Sequence, residues 1–237
     1  MTIFLDEENK NKKEFFQTPI YDYYKPEWVD EVNGICDRVL DEIKASHYKK
    51  ILDERYLRLG DKNFEKVKDH GLSYHSGSLV GLPGLDELTK FIGKTSWNIL
   101  SEQGFDVSNY TMMMTEYWVQ QFAENGGGHH DTHIHYDNHI SGFYFLKCSS
   151  LTSNPVFHDP RPAALMSKLP LKDPNKLCLG QSSVNVQVKP GTLIFFNAYL
   201  PHQFTVDDGI EPFRFIHFNI QAIRSGMLSP DLKDMRA

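Results

Sequence analysis

From Asn109 onward the chain is a succession of short runs rich in β-branched and aromatic residues, each closed by a turn signal. NYTMMMTEYWVQQF ends at the triple glycine 126–128, and SGFYFLK, SSVNVQV, TLIFFNA and FRFIHFNI follow, with KPGT and DDGIEP among the breaks. Upstream the period changes. Trp28, Val32, Ile35, Val39 and Ile43 recur at three- and four-residue intervals through PEWVDEVNGICDRVLDEIKAS, and Pro26 suits a first helical turn. A second helix is predicted from Leu85 to Leu100, opening after Pro83 and Gly84 and ending at Gly104. Helices feeding a run of short antiparallel strands predict a mostly β, α+β chain with helices packed on a β-sandwich or jelly roll. No linker composition divides it, so residues 1–237 read as one domain. Residues 1–104 form an arm and supporting helices, 105–223 the jelly-roll core with a long loop at 159–181, and 224–237 a C-terminal tail.

Into this β region falls an unusual density of side chains that bind metals. Five of the eleven histidines lie between His129 and His139, in GGGHHDTHIHYDNHISGFYFL, together with Asp131 and Asp137. His129, Asp131, His133, His135, Asp137 and His139 are all odd-numbered, so an extended segment would put them on one face. His129 to Asp137 would then span roughly 26 Å at about 3.3 Å per residue, too far for one ion. Only a pair at i and i+2 can converge, and a third ligand must come from another strand. PGTLIFFNAYLPHQF supplies His202, about 65 residues further on, and Arg214 follows twelve positions later at the head of the apolar strand FRFIHFNI. Two histidines and one carboxylate suit Fe(II) and leave coordination positions open. An arginine in an apolar barrel must be paired, and it can grip the far carboxylate of a dicarboxylic keto acid, 2-oxoglutarate, whose other end chelates the metal.

A net charge of −6 argues against a dedicated nucleic-acid or anionic-membrane binder. Cys36, Cys148 and Cys178 form neither a CxxC pair nor a disulfide framework, and no stretch is apolar enough for a signal peptide or a membrane span. The expectation is a cytoplasmic protein acting on a small molecule or a peptide.

With these residues in place, the chain resembles the 2-oxoglutarate and Fe(II)-dependent oxygenases, in particular a subgroup typical of marine bacteria and phages and distantly similar to prolyl 4-hydroxylases. The resembling pieces are FFQTPIYDYY, YWVQQFAENGG, HIHYDNHISGFYFL, FHDPR, VKPGTLIFFNAYLPHQF and FRFIHFN, in the family's order over most of the chain. The resemblance implies a double-stranded β-helix (jelly roll, cupin-like) core. It also implies iron held by His135, Asp137 and His202, and a hydroxylase that uses 2-oxoglutarate and O₂ and releases succinate and CO₂. Ascorbate is a further candidate cofactor. Arg214 would bind 2-oxoglutarate, and Tyr144 matches the tyrosine that touches the co-substrate in related enzymes. In the subgroup the pattern is His-x-His, matching His133 and His135, so His133 is the alternative third ligand. Asp137 is favoured here because its carboxylate offsets the metal's charge. A peptidyl proline is one substrate the resemblance suggests.

The competing readings are a cupin-type three-histidine metalloenzyme that does not use 2-oxoglutarate, and a non-catalytic jelly-roll module with incidental histidines. Taken singly, Arg214 could pair with a core carboxylate, Tyr144 could be a core aromatic with a satisfied hydroxyl, Trp118 could be packing, and His158 and Arg161 could be turn residues.

Overall fold

Among the described residues, the strands of the computed structural model are β1 (Ile20–Tyr24), β2 (Ser73–His75), β3 (Tyr110–Phe122), β4 (His130–His133), β5 (Ile140–Lys147), β6 (Pro155–His158), β7 (Ser183–Asn185), β8 (Thr192–Asn197), β9 (His202–Phe204) and β10 (Arg214–Arg224). The structure describes residues 13, 15–149, 151–166 and 169–227; the predicted arm before residue 13 and most of the predicted tail lie outside them. All pairings are antiparallel, in a six-stranded sheet ordered β1-β8-β5-β10-β3-β2 and a four-stranded sheet ordered β4-β9-β6-β7. Two facing antiparallel sheets with helices behind one of them are consistent with the expected double-stranded β-helix.

Side-chain alternation builds two cores. On β10, Ile216, Phe218 and Ile220 face the helices, whereas Phe215 joins Phe122, Phe143, Phe145, Phe196 and Phe204 between the sheets. β5 lies near the centre and is covered on both faces, which is why its sequence reads as a nearly continuous apolar run. Gly142 on β5 is required by close approach: a Cβ there would collide with the Ile194 carbonyl oxygen and the Phe218 ring.

The helix α1 (Val29–Ile43) buries Val32, Ile35, Cys36 and Leu40 against the sheet, as its 3.6-residue period predicts. It continues, through a π-helical turn at Lys44–Tyr48, into α2 (Lys49–Leu59) and, after Gly60 in the left-handed region, α3 (Asp61–Val67). The sequence reading passed over these last two, and none of their residues is fully buried. The predicted second helix is α4 (Asp86–Glu102), with Leu88, Ile92, Ile99 and Leu100 inward. The 159–181 segment is a loop whose one described helical turn is the 3₁₀ turn Pro162–Leu165.

Candidate metal centre

The histidine run does not form the single extended face that period two predicts. β4 ends at His133, and its pairing with β9 shifts register between His130↔Phe204 and His133↔His202. The irregularity turns both His130 and His133 inward, their rings 5.7 Å apart. Beyond Ile134 the chain turns across the end of the six-stranded sheet. His135 N–H donates to Ala198 O at 2.9 Å, and His139 N–H donates to Ile220 O at 2.9 Å.

That path brings His133, His135 and His202 together, with one ligand nitrogen from each within 4.8 Å of the others. His135 Nε2 and His202 Nε2 are 3.3 Å apart, close to the spacing of roughly 3 Å expected for two nitrogens at right angles around a metal with bonds of about 2.1 Å. Local hydrogen bonds present two of the three lone pairs. His133 Nδ1 lies 2.7 Å from Asp131 O and His202 Nδ1 lies 2.9 Å from Leu200 O, so each Nδ1–H donates to a carbonyl and leaves Nε2 free. His135 differs, because its Nδ1 faces the Asn219 amide nitrogen at 3.0 Å. Turning that amide over would give Nδ1–H an acceptor and free Nε2; amide orientation is assigned from such networks.

Burial keeps the His135 and His202 imidazoles neutral, which ligation requires. Burial, followed by the neighbouring His217 and His202, pushes His135 down to about 2. For His202, wholly buried among Phe143, Phe157 and Phe196, burial outweighs the bond to Leu200 and pushes it down to about 3. His130 is pushed down to about 4, again mainly by burial.

Asp137 does not join this cluster. Its backbone is in the left-handed region (φ 61°), its side chain is exposed, and it belongs to neither group of described residues able to enclose a metal. The i, i+2 argument that paired it with His135 needs an extended strand, and the chain at Asp137 is a turn. Arg214 and Tyr144 are also brought elsewhere. Arg214 shares the face of Ile216 and Phe218, turned toward α1, where its guanidinium donates to Gln121 Oε1 at 3.0 and 2.6 Å and to Asn33 Oδ1 at 3.0 Å and pairs with Asp37 at 2.7 Å. Tyr144 packs in the same helix-side core and donates to Lys25 O at 2.7 Å. Both lie on the outer face of the sheet, away from His202, Phe143 and the other inward rings.

Groups that the sequence did not mark as site residues line the inner face instead. Glu116 and Asn219 are register partners, as are Trp118 and His217. His217 stacks between Trp118 (4.5 Å) and His135 (4.6 Å), and Asn219 Nδ2 donates to Glu116 Oε2 at 2.8 Å. Parity held the signal: His217 and Asn219 are the polar pair of FRFIHFN that alternate with Ile216 and Phe218.

A cleft of about 390 Å³ lies between the 15–20 segment and the 158–184 region, lined by Phe15, Phe16, His158, Arg161, Leu179 and Ser183 among others. Phe157 and Phe196 pack between this side of the fold and His202. At its rim Arg161 donates to Asp159, the turn role expected for FHDPR.

Residues 116–219 match the model of a family described as "Putative 2OG-Fe(II) oxygenase". No curated protein matches the chain. Among solved structures, the chain is similar to a Pseudomonas putida prolyl-4-hydroxylase, with a TM-score of 0.50 and 12% identity over 84% of this chain and 91% of that one. It is also similar to an oxidoreductase of the 2OG-Fe(II) oxygenase family from Burkholderia pseudomallei, at a TM-score of 0.43 and 11% identity over 65% of this chain and 69% of that one.

Proposed function

We propose that this chain, which belongs through its β core, residues 116–219, to the 2OG-Fe(II) oxygenase family, holds its Fe(II) on the Nε2 atoms of His133, His135 and His202. The observation that carries the ligand set is the convergence of these three imidazoles within 4.8 Å, with the His133 and His202 tautomers fixed by backbone carbonyls. Imidazole is a suitable donor for iron, and three protein ligands leave positions for a chelating keto acid and O₂. Fe(II) with 2-oxoglutarate and O₂ supplies the oxidising power to hydroxylate a C–H bond, releasing succinate and CO₂.

The chain's own residues do the positioning. The carbonyls of Asp131 and Leu200 fix the His133 and His202 rings, whose lone pairs would otherwise have to be ordered at the moment of binding, and the bond from His135 N–H to Ala198 O anchors the backbone that carries the third. The phenylalanines around His202 exclude water from that side of the centre. With Arg214 and Tyr144 on the other face, the inner-face groups adjoining the triad that can receive the keto acid's remote carboxylate are His130 and Gln120, themselves 2.6 Å apart.

Hydroxylation of a peptidyl proline is the substrate proposal that the Pseudomonas relative suggests, and the cleft beside the 159–181 loop is where substrate selection would be sought. The test is anaerobic addition of Fe(II) and then 2-oxoglutarate to the purified chain. A weak visible charge-transfer band is expected, followed on aeration by succinate release and a gain of one oxygen on a member of a proline-peptide and metabolite panel. Iron binding without the band would favour the three-histidine metalloenzyme that does not use the keto acid.

A further inference from the structure

Beside the triad, on its β3 and β10 side, lies a second cluster that the proposed chemistry leaves unused. Glu116, His135 and His217 also place one ligand atom each within 4.8 Å of one another. His217 is 1% exposed, and neither of its ring nitrogens makes a hydrogen bond, although Nε2 lies 3.4 Å from Glu116 Oε2. A buried imidazole ordinarily satisfies both nitrogens. Here the nearest polar neighbour of Nε2 is the Glu116 carboxylate, and the space between the two can hold the imidazole's own proton or a cation.

The group now closest to that role is the Asn219 amide. Its Nδ2 donates to Glu116 Oε2 at 2.8 Å and to His135 Nδ1 at 3.0 Å, while its Oδ1 accepts from Ser141 Oγ. Turned over, the same amide would offer Oδ1 to a cation and Nδ2 to Ser141 Oγ, which can accept, so the network accommodates both states.

We propose that Glu116 and His217, with the Asn219 amide oxygen, form a second divalent-cation site that adjoins the histidine triad. A carboxylate, an imidazole and an amide oxygen suit Mn(II), Fe(II), Co(II) or Zn(II) rather than the all-oxygen preference of Ca(II) or the thiolate preference of Cu(I). A neutral His135 has one lone pair to give, which the triad uses, so the second site is the weaker of the two. Its occupancy does not depend on 2-oxoglutarate.

Mn(II) alone, titrated into the full chain by equilibrium dialysis with electron paramagnetic resonance of the bound ion, tests this. The wild type is expected to bind two ions per chain, one more weakly than the other. Glu116→Gln, isosteric and half-exposed, should lose the weaker ion while keeping the tighter one. His217→Gln should do the same, and His133→Ala should weaken the tighter ion while keeping the other. A single ion in the wild type that persists in Glu116→Gln and is lost in His133→Ala overturns the second site and leaves the triad standing. A second ion that survives both Glu116→Gln and His217→Gln overturns it as well.

Discussion

Removing the Arg214 guanidinium separates two roles that the sequence alone makes equally attractive. In the structure the side chain is 4% exposed and is held by Gln121, Asn33 and Asp37, all on the α1 side of the sheet. Arg214→Met keeps most of the apolar stem and deletes the charge, stranding the Gln121 and Asn33 oxygens. Each buried acceptor left without a donor costs about 1–3 kcal/mol. Asp37 is half-exposed and can return to water, so it adds little. The sum is a loss of about 2–6 kcal/mol, or roughly 4–24 °C in melting temperature for a chain of this size. Arg214→Lys, which keeps the charge but not the planar fork, should lose less. Affinity for 2-oxoglutarate, read from the anaerobic charge-transfer titration at a temperature where the variant is folded, should stay within about threefold of wild type, since the removed group faces the helices. A variant of unchanged melting temperature whose keto-acid affinity falls a hundredfold would refute the reasoning and return Arg214 to the barrel interior.

His133→Ala should weaken Fe(II) or Co(II) binding at the triad by at least about a hundredfold, whereas Asp137→Ala should change it by less than about threefold; metal dialysis against a chelator distinguishes them, and the reverse ranking would make the carboxylate the ligand. Gly142→Ala should lower the urea midpoint by an amount equivalent to about 1–3 kcal/mol, because its methyl has to displace the Ile194 backbone or the Phe218 ring. Asp69 is buried and accepts from Tyr74 Oη, Asn125 Nδ2 and the amides of Glu124 and Asn125. Burial opposes its ionisation, but these donors outweigh it and hold the carboxyl below its usual range. Its contribution is therefore complete above about 3.9, the unfolded value, and is lost as pH falls through the depressed folded value. Asp69→Asn should flatten that acid limb in a pH series of thermal melts while destabilising the protein at neutral pH.

Much of the fold was legible because it follows from local period. Three- and four-residue spacing in α1 and α4, and dense β-branched and aromatic content in β3, β5, β8 and β10, each reflect a face that must be buried whatever the chain's function. α2 and α3 have no fully buried residue, so their apolar signal is weaker than that of α1 and α4. SSVNVQV alternates over seven residues yet pairs over three, Ser183–Asn185, at the edge of the smaller sheet. The histidine cluster was legible as composition and less so as geometry: the β4 irregularity brings His130 and His133 inward on opposite parities, and the turn at Asp137 removes the i, i+2 relation on which its pairing with His135 was built.

β10 shows why a site is harder to read than a sheet. FRFIHFNI is apolar on both parities, because helices cover one face and a second sheet the other, so burial does not say which face looks into the barrel. A charged residue at the strand's head then looks like the functional one, and Arg214 was singled out. Its charge, however, is neutralised by Asp37 on α1, a helix lying 177 residues upstream in sequence. A buried charge paired at the surface in this way belongs as readily to scaffolding as to chemistry. The residues that point inward are His217 and Asn219, uncharged or weakly basic, spaced by two, and opposite Trp118 and Glu116 on β3. The inward face is marked by shared parity of polar groups on two adjacent strands, a pairwise property that appears once register is known. On that criterion Glu116, His217 and Asn219 should be more sensitive to substitution than Arg214 in any assay of metal occupancy, and Arg214 more sensitive than they in any assay of unfolding.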